Sequence, residues 1–221
     1  MSSVTFGELR SAAFCARQCY YDRTTDGGTP PKRHATIKAL AHRYASLLDA
    51  DRRQLTEEPI AIDPAAYRER LARARALHPR WEELCEPAAR DVLVAGRDCR
   101  GIVDKVLEDP LEPVMIATGK PPDRGVWEAH SIKAVAAAKA LAWEYGERVE
   151  RATLEYPAYG VVRRIDLTTR RKAAYRRTLR TVREMDGPPA RTDDRSKCDH
   201  CEYATQCGVK TRTLRSLLGG G

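Results

Sequence analysis

The chain opens with a helix signal. Thr5-Phe6-Gly7-Glu8 has capping-box spacing, with Thr5 as the cap and Glu8 reaching back to it. A first helix is expected from there to about Cys19. Residues 22–31 hold Gly27, Gly28, Pro30 and Pro31 and read as a turn-rich loop. A second helix is expected over 34–48, because Ile37, Leu40, Ala41, Tyr44 and Leu48 recur at intervals of three and four. His42 lies on or beside that stripe. Residues 51–59 read as a polar connector. Asp63 followed by Pro64 marks an N-cap and a first helical residue. The helix that follows, to about Leu77, carries Arg68, Arg70, Arg73 and Arg75, and a short helix over 81–89 continues it.

The period then changes. Strands are expected from Val92, over 101–107 and over 113–117, the last mostly apolar and therefore central in a sheet. A loop with two prolines and two glycines over 118–125 precedes an alanine-rich helix from Ser131 to Tyr145, closed by Gly146. Two more strands over 149–156 and 160–167 flank Pro157-Ala158-Tyr159. Thr168 or Thr169 caps a last helix to Met185, which carries Arg170, Arg171, Lys172, Arg176, Arg177, Arg180 and Arg183. This order predicts an α/β core with a mixed sheet. It divides into a helical region (1–90), a core (91–190) and a cysteine-rich segment with a basic, glycine-terminated tail (191–221).

Composition narrows the function. No run of 18 apolar residues exists, so no membrane span is expected. The first residues lack a basic stretch followed by an apolar one, so no secretory signal is expected. Seven cysteines without export point to reduced thiols, metal binding and a cytoplasmic location. The net charge is +8, mostly arginine, which suggests a nucleic-acid partner.

Cys198, Cys201 and Cys207 have C-x2-C-x5-C spacing among Lys, Asp, His, Glu and Gln, unlike a core stripe. A four-thiolate site needs one more ligand, and Cys15 is the expected fourth, with Cys19 the substitute. Iron and zinc both accept four thiolates, and His200 is a further zinc candidate.

These parts resemble the RecB-like branch of the PD-(D/E)XK nucleases, and more narrowly the Cas-four family of CRISPR-associated iron–sulfur exonucleases. Cys15-Ala16-Arg17-Gln18-Cys19-Tyr20-Tyr21 is similar to that family's C-P-R-x-x-Y-Y opening, with Ala16 in place of the proline. Gly101-Ile102-Val103-Asp104 is similar to its G-x-x-D motif. Thr118-Gly119-Lys120-Pro121-Pro122 is similar to the T-G-K-P-P that trails its E-x-K strand. The resemblance implies a [4Fe–4S] cluster rather than zinc. It also implies DNA as partner, single-stranded or at ends, and CRISPR integrase proteins as possible company. His42 would match the N-terminal histidine that is often an extra metal ligand, and Lys120 would lie where it can meet phosphate.

The departures bear on catalysis. In this fold an Asp and a Glu hold Mg²⁺ or Mn²⁺, and a Lys two residues past the Glu activates water. Asp104 is present. The T-G-K register puts Met115 in the place of the Glu and Ala117 in the place of the Lys, both expected on the side of Asp104. The Q-x-x-x-Y pair of the next helix becomes Lys133 and Ala137. A thioether and a methyl neither bind a hard cation nor move a proton. The expectation is therefore a DNA-binding protein with a remnant centre and weak or absent nuclease activity. Two alternatives compete. One is an active single-stranded DNA exonuclease with migrated groups, Glu112 or Glu128 as carboxylate and Lys133 or Lys120 as amine. The other is a zinc-stapled interaction module. Arg176, Arg177 and Arg180 are the candidate phosphate contacts of the last helix.

Overall fold

The computed structural model describes residues 3–25, 32–199 and 201–208. Most of the expected 22–31 loop, His200 and the tail beyond 208 lie outside the described residues. The order is β1 (Val4–Thr5), α1 (Phe6–Phe14), α2 (Ala16–Thr24), α3 (Lys32–Leu40), α4 (Tyr44–Asp49), α5 (Arg52–Glu57), α6 (Pro64–Leu77) and α7 (Trp81–Cys85). Then come β2 (Ala89–Ala95), β3 (Cys99–Leu107), β4 (Glu112–Ile116), α8 (Glu128–Tyr145), β5 (Arg151–Tyr156), β6 (Val161–Asp166), α9 (Thr169–Arg183) and α10 (Ser196–Asp199).

Several boundaries follow the local chemistry of the sequence. Thr5 Oγ1 accepts the Glu8 N–H, and Glu8 returns a carboxylate to the Thr5 N–H at 2.6 Å. Asp63 Oδ1 caps α6 in front of Pro64, and Gly146 ends α8 in the left-handed region at φ 68°. Other expectations fail. The single helix to Cys19 is two helices, because Cys15 is extended (φ −157°, ψ 116°) and re-aims the chain. The helix over 34–48 breaks at residues 41–43. The connector over 51–59 contains α5, capped reciprocally by Asp51 and Gln54.

The sheet runs β1-β3-β4-β5-β6, with β2 also on β3. β1 pairs parallel to β3 and β4 parallel to β5, while β2–β3, β3–β4 and β5–β6 are antiparallel. This is the mixed sheet expected. β2 takes one edge of β3, so β1 and β4 share the other: β1 at Cys99 and Arg100, β4 from Lys105 to Leu107. Residues 101–104 lie in the gap between them.

Helices cover both faces. α8 packs on β2 to β5, with α1 and α9 against it. Its buried alanines, Ala134, Ala136, Ala137, Ala138 and Ala140, allow close approach to the strands. The opposite face holds a second core of Leu40, Tyr44, Leu55, Tyr67, Leu71 and Leu84 against Leu107, Val114 and Ile116. β1 and α1 belong to the first core, so the first 90 residues are not a separate region.

Gly101 sits in the gap, beneath Phe6. A Cβ there would lie 2.4 Å from Phe6 Cδ2 and 3.0 Å from Phe6 Cβ. The close approach of α1 to β3 therefore requires a glycine at this position. Gly101→Ala should lower stability by about 1–3 kcal/mol through overpacking, read as a shifted denaturation midpoint. An unchanged midpoint would show that Phe6 swings aside without cost.

Candidate functional site

β3 and β4 part company at Asp104. Their ladder ends at the Lys105–Val114 pair, and β4 continues with β5 alone. The Ile116 N–H then faces β3 without a ladder carbonyl. Asp104 Oδ2 accepts it at 2.7 Å. Asp104 Oδ1 receives the ammonium of Lys38, from α3, at 2.5 Å. The carboxylate is buried and has partners on both oxygens. Lys38 also reaches Asp91 Oδ1 at 3.3 Å. Asp91 falls between the Arg90–Lys105 and Val92–Val103 pairs of the β2–β3 ladder and takes φ 50°, a conformation aspartate tolerates better than most residues. Burial disfavours a charged Lys38, but the hydrogen bond and charge of Asp104 more than offset it and hold its pKa above the usual value.

More cations gather here. Lys133, half-buried on α8, faces Asp104, and burial lowers its pKa despite that carboxylate. Arg10 and Lys38 are its other charged neighbours. His34 bonds Thr118 Oγ1 at 2.8 Å and is depressed by burial and by the same three cations. His42 is brought to the same corner. Its pKa is lowered by burial and by Lys105, with Asp91 and Lys38 also close, and its buried Nδ1 has no hydrogen-bond partner. Asp104 is thus bound to an internal cation, and its neighbourhood is basic.

The other catalytic candidates are not assembled around it. Met115 is 1% exposed in the core under α8, and Ala117 packs against the same cluster, so the expected apolar-lined pocket remnant is closed core. Glu112 lies at the far end of β4, held by Arg164 at 2.8 Å and by the Thr153 hydroxyl at 2.7 Å. Glu128 is exposed at the start of α8. Only Lys133, of the migrated groups considered, faces Asp104. Lys38 is not among the residues expected at the site; it sits beside the apolar stripe of its helix.

Next to Asp104 in the chain, Lys105 is fully buried. Its ammonium donates to Glu155 Oε1 at 2.9 Å, Ala41 O at 2.7 Å and Leu84 O at 2.8 Å. Burial, against the pull of Lys105, pushes the Glu155 carboxyl up to about 7. This pair ties β3 and β5 to the α3–α4 bend and to α7.

Four of the cysteines share one cavity. Cys15, Cys198, Cys201 and Cys207 line one small cavity of about 20 Å³, with Arg17, Lys197 and Ala204. Cys15 arrives on the extended break between α1 and α2. The other three follow a chain of tight turns, with N–H to O bonds from Cys201 to Cys198 (3.2 Å) and from Cys207 to Tyr203 (2.8 Å). Burial raises the Cys201 thiol, and the three other thiols add to the effect. Four sulfurs with no carboxylate on the cavity wall form a donor set suited to a four-thiolate group. As the side chains stand, no group of three or more His, Cys, Asp or Glu among the described residues is at metal-ligand separation. Cys19 is not on the cavity. It is buried in the main core with its thiol pushed up to about 11. Cys99 bonds Tyr175 Oη at 3.3 Å, and Cys85 is half-buried.

Two surfaces are cationic. On α9, Tyr175, Leu179 and Val182 face the core, leaving Arg176, Arg177 and Arg180 exposed. On the other side of the sheet, a groove of about 890 Å³ lies between α6, β6 and the 120–123 loop. Arg70, Arg73, Lys120, Arg163 and Arg164 line it, so Lys120 belongs to this groove rather than to the Asp104 corner.

No protein-family model matches the chain. It is similar to an uncharacterized protein of Archaeoglobus fulgidus, 26% identical over 233 residues that span 96% of this chain and 98% of that one. Among solved structures it is similar to one described as "Crystal structure of SSO0001", with a TM-score of 0.44 and 14% identity, covering 95% of this chain and 88% of the other. No helix among the described residues is long and apolar enough to cross a membrane.

The Asp104–Lys38 contact is testable by itself. Lys38→Met leaves a buried carboxylate without its counter-charge and should cost about 1–3 kcal/mol, at the lower end because Lys38 is partly solvated. Asp104→Asn keeps one acceptor oxygen for the Ile116 N–H, and in that background Lys38→Met should cost much less. Equal costs in both backgrounds, from a denaturant double-mutant cycle, would show that the pair is not coupled.

Proposed function

We propose that this chain is an iron–sulfur, DNA-binding protein built on a RecB-like, Cas-four-like nuclease scaffold whose cleavage centre has been replaced by an internal ion pair. One observation supports the reading: the Lys38 ammonium bonds Asp104 Oδ1 while the Ile116 N–H bonds Oδ2. A hard cation requires several oxygen ligands, and here one carboxylate is already bonded on both oxygens. Without that ion the charge developing on a scissile phosphate has no strong stabiliser and water has no activator. The same corner, with Lys133 and Arg10 close, suits the ground-state binding of phosphate instead.

The convergence of the four cysteines supports the cofactor. Cys15, Cys198, Cys201 and Cys207 would hold a [4Fe–4S] cluster, with zinc as the alternative occupant of the same thiols. When bound, the group supplies a covalent tie between α2 and the C-terminal segment. Protein contacts already prepare that tie: Arg17 donates to Pro189 O at 3.0 Å and Tyr21 packs on Tyr203 at 5.3 Å between ring centroids. The net charge of +8 and the exposed arginines of α9 support a nucleic-acid partner. By its resemblance the protein would act in CRISPR adaptation or DNA processing, with single strands or ends as ligand and integrase proteins as partners.

Two experiments test this. Anaerobically purified protein should be brown, and Cys15→Ser should lose most of the iron and much of the thermal stability, because a buried metal group contributes to folding directly. Full iron content in that variant would remove Cys15 from the ligand set. Separately, DNA binding should be unaffected by a chelator, and Mn²⁺ should produce little or no cleavage of single-stranded DNA. Robust cleavage by wild-type protein that disappears in Asp104→Ala would overturn the non-catalytic reading and assign Asp104 to a working centre.

A further inference from the structure

The groove between α6, β6 and the 120–123 loop plays no part in the arrangement around Asp104. Its volume, about 890 Å³, is at the upper end of the roughly 300–1,000 Å³ typical of ligand clefts. Its walls carry five lysines and arginines, and the one acid on them is Asp123. The cations divide into two kinds. Arg163 is pinned by the carbonyls of Pro122, Asp123 and Gly125, and Arg164 by Glu112, so these two build the wall. Arg70, Arg73 and Lys120 are exposed, and among the described residues no carboxylate pairs with them. Arg70 and Arg73 are three apart and project from one face of α6.

The rest of the lining is apolar. Ile62, Tyr159 and Val161 contribute, as does Leu77, which is 70% exposed where a helix of this core would be expected to show a polar residue. Trp127 stands beside the groove's loop, its indole N–H bonded to Lys120 O at 2.7 Å and its ring 50% exposed. Unpaired cations over an apolar floor with an aromatic at the rim match a ligand that presents phosphates and unstacked base faces together. A duplex presents phosphates but keeps its bases inside.

We infer that this groove holds a short run of single-stranded nucleic acid, with phosphates on Arg70, Arg73 and Lys120 and bases against Leu77 and Tyr159. The inference rests on the DNA-binding reading and locates it on the α6 face of the sheet, opposite the arginines of α9.

The test uses the full, cluster-loaded chain and a fluorescently labelled oligothymidine of about 15 nucleotides, followed by anisotropy across a salt series. Arg70→Glu with Arg73→Glu should weaken binding at least about tenfold and reduce the log–log salt slope by roughly 1.4, about 0.7 for each lost phosphate contact to a single strand. Both residues are exposed, so the melting temperature should not change. If it does, Arg73→Gln with Lys120→Gln is the second variant, with the same affinity loss expected. Wild-type affinity and slope in both variants, while Arg176, Arg177 and Arg180 changed to Ser lose binding, would overturn the groove and leave the DNA reading intact. Failure of the wild-type chain to bind the oligonucleotide would overturn both. A poly-glutamate peptide that displaces the oligonucleotide at equal concentration would assign the groove to an acidic protein segment and overturn the inference.

Discussion

A buried ammonium holds this molecule in register. Lys105 reaches from the centre of the sheet to the last carbonyl region of α3, to α7 and to Glu155 on β5, so one side chain fixes two helical segments and two strands. Removing an ion from water costs several kcal/mol, and the group is tolerated because all three donor directions are used. The consequence extends to the neighbouring residue. With Ala41 O anchored, the last turn of α3 is fixed over the β3–β4 divergence, and Lys38 falls on Asp104. The Lys38–Asp104 ion pair is therefore set by a second ion pair one residue away.

The orientation of the two ladders explains why a carboxylate sits at that point. β4 must leave β3 to stay paired with β5, and the parting exposes an N–H inside the protein. An unpaired buried N–H costs about as much as a lost hydrogen bond. Asp104 removes that cost, which gives it a structural duty independent of any chemistry.

Much of this was legible in the chain. Caps such as Thr5 with Glu8 and Asp63 with Pro64 are read from four-residue windows, and the structure follows them. The C-x2-C-x5-C spacing singles out Cys198, Cys201 and Cys207, and Cys15 lines the same cavity. What was not legible depends on distance in the sequence. Lys38 reads as an ordinary surface lysine until α3 is laid across β3. The arginines of α6 were visible as a series, but nothing local separates Arg68, which bonds Ala50 O, from Arg70 and Arg73, which face the groove. The break at Cys15 leaves no local signal, since neither glycine nor proline marks it.

The arrangement of the chain ends has a further implication for how the protein is made. β1 pairs with a strand about 95 residues downstream, and α1 rests on α8 and α9. Arg17 and Arg23 on α2 bond carbonyls at Pro189 and Val182. The first 25 residues emerge from the ribosome long before any of these partners exist. Their apolar side chains, Phe6 and Leu9 among them, must wait in the open until α9 has been synthesised. Domains generally fold as units during synthesis. This one cannot close its main core until α9 has been made. Translation speed through α8 and α9 therefore sets how long that face remains available to chaperones or to other nascent chains.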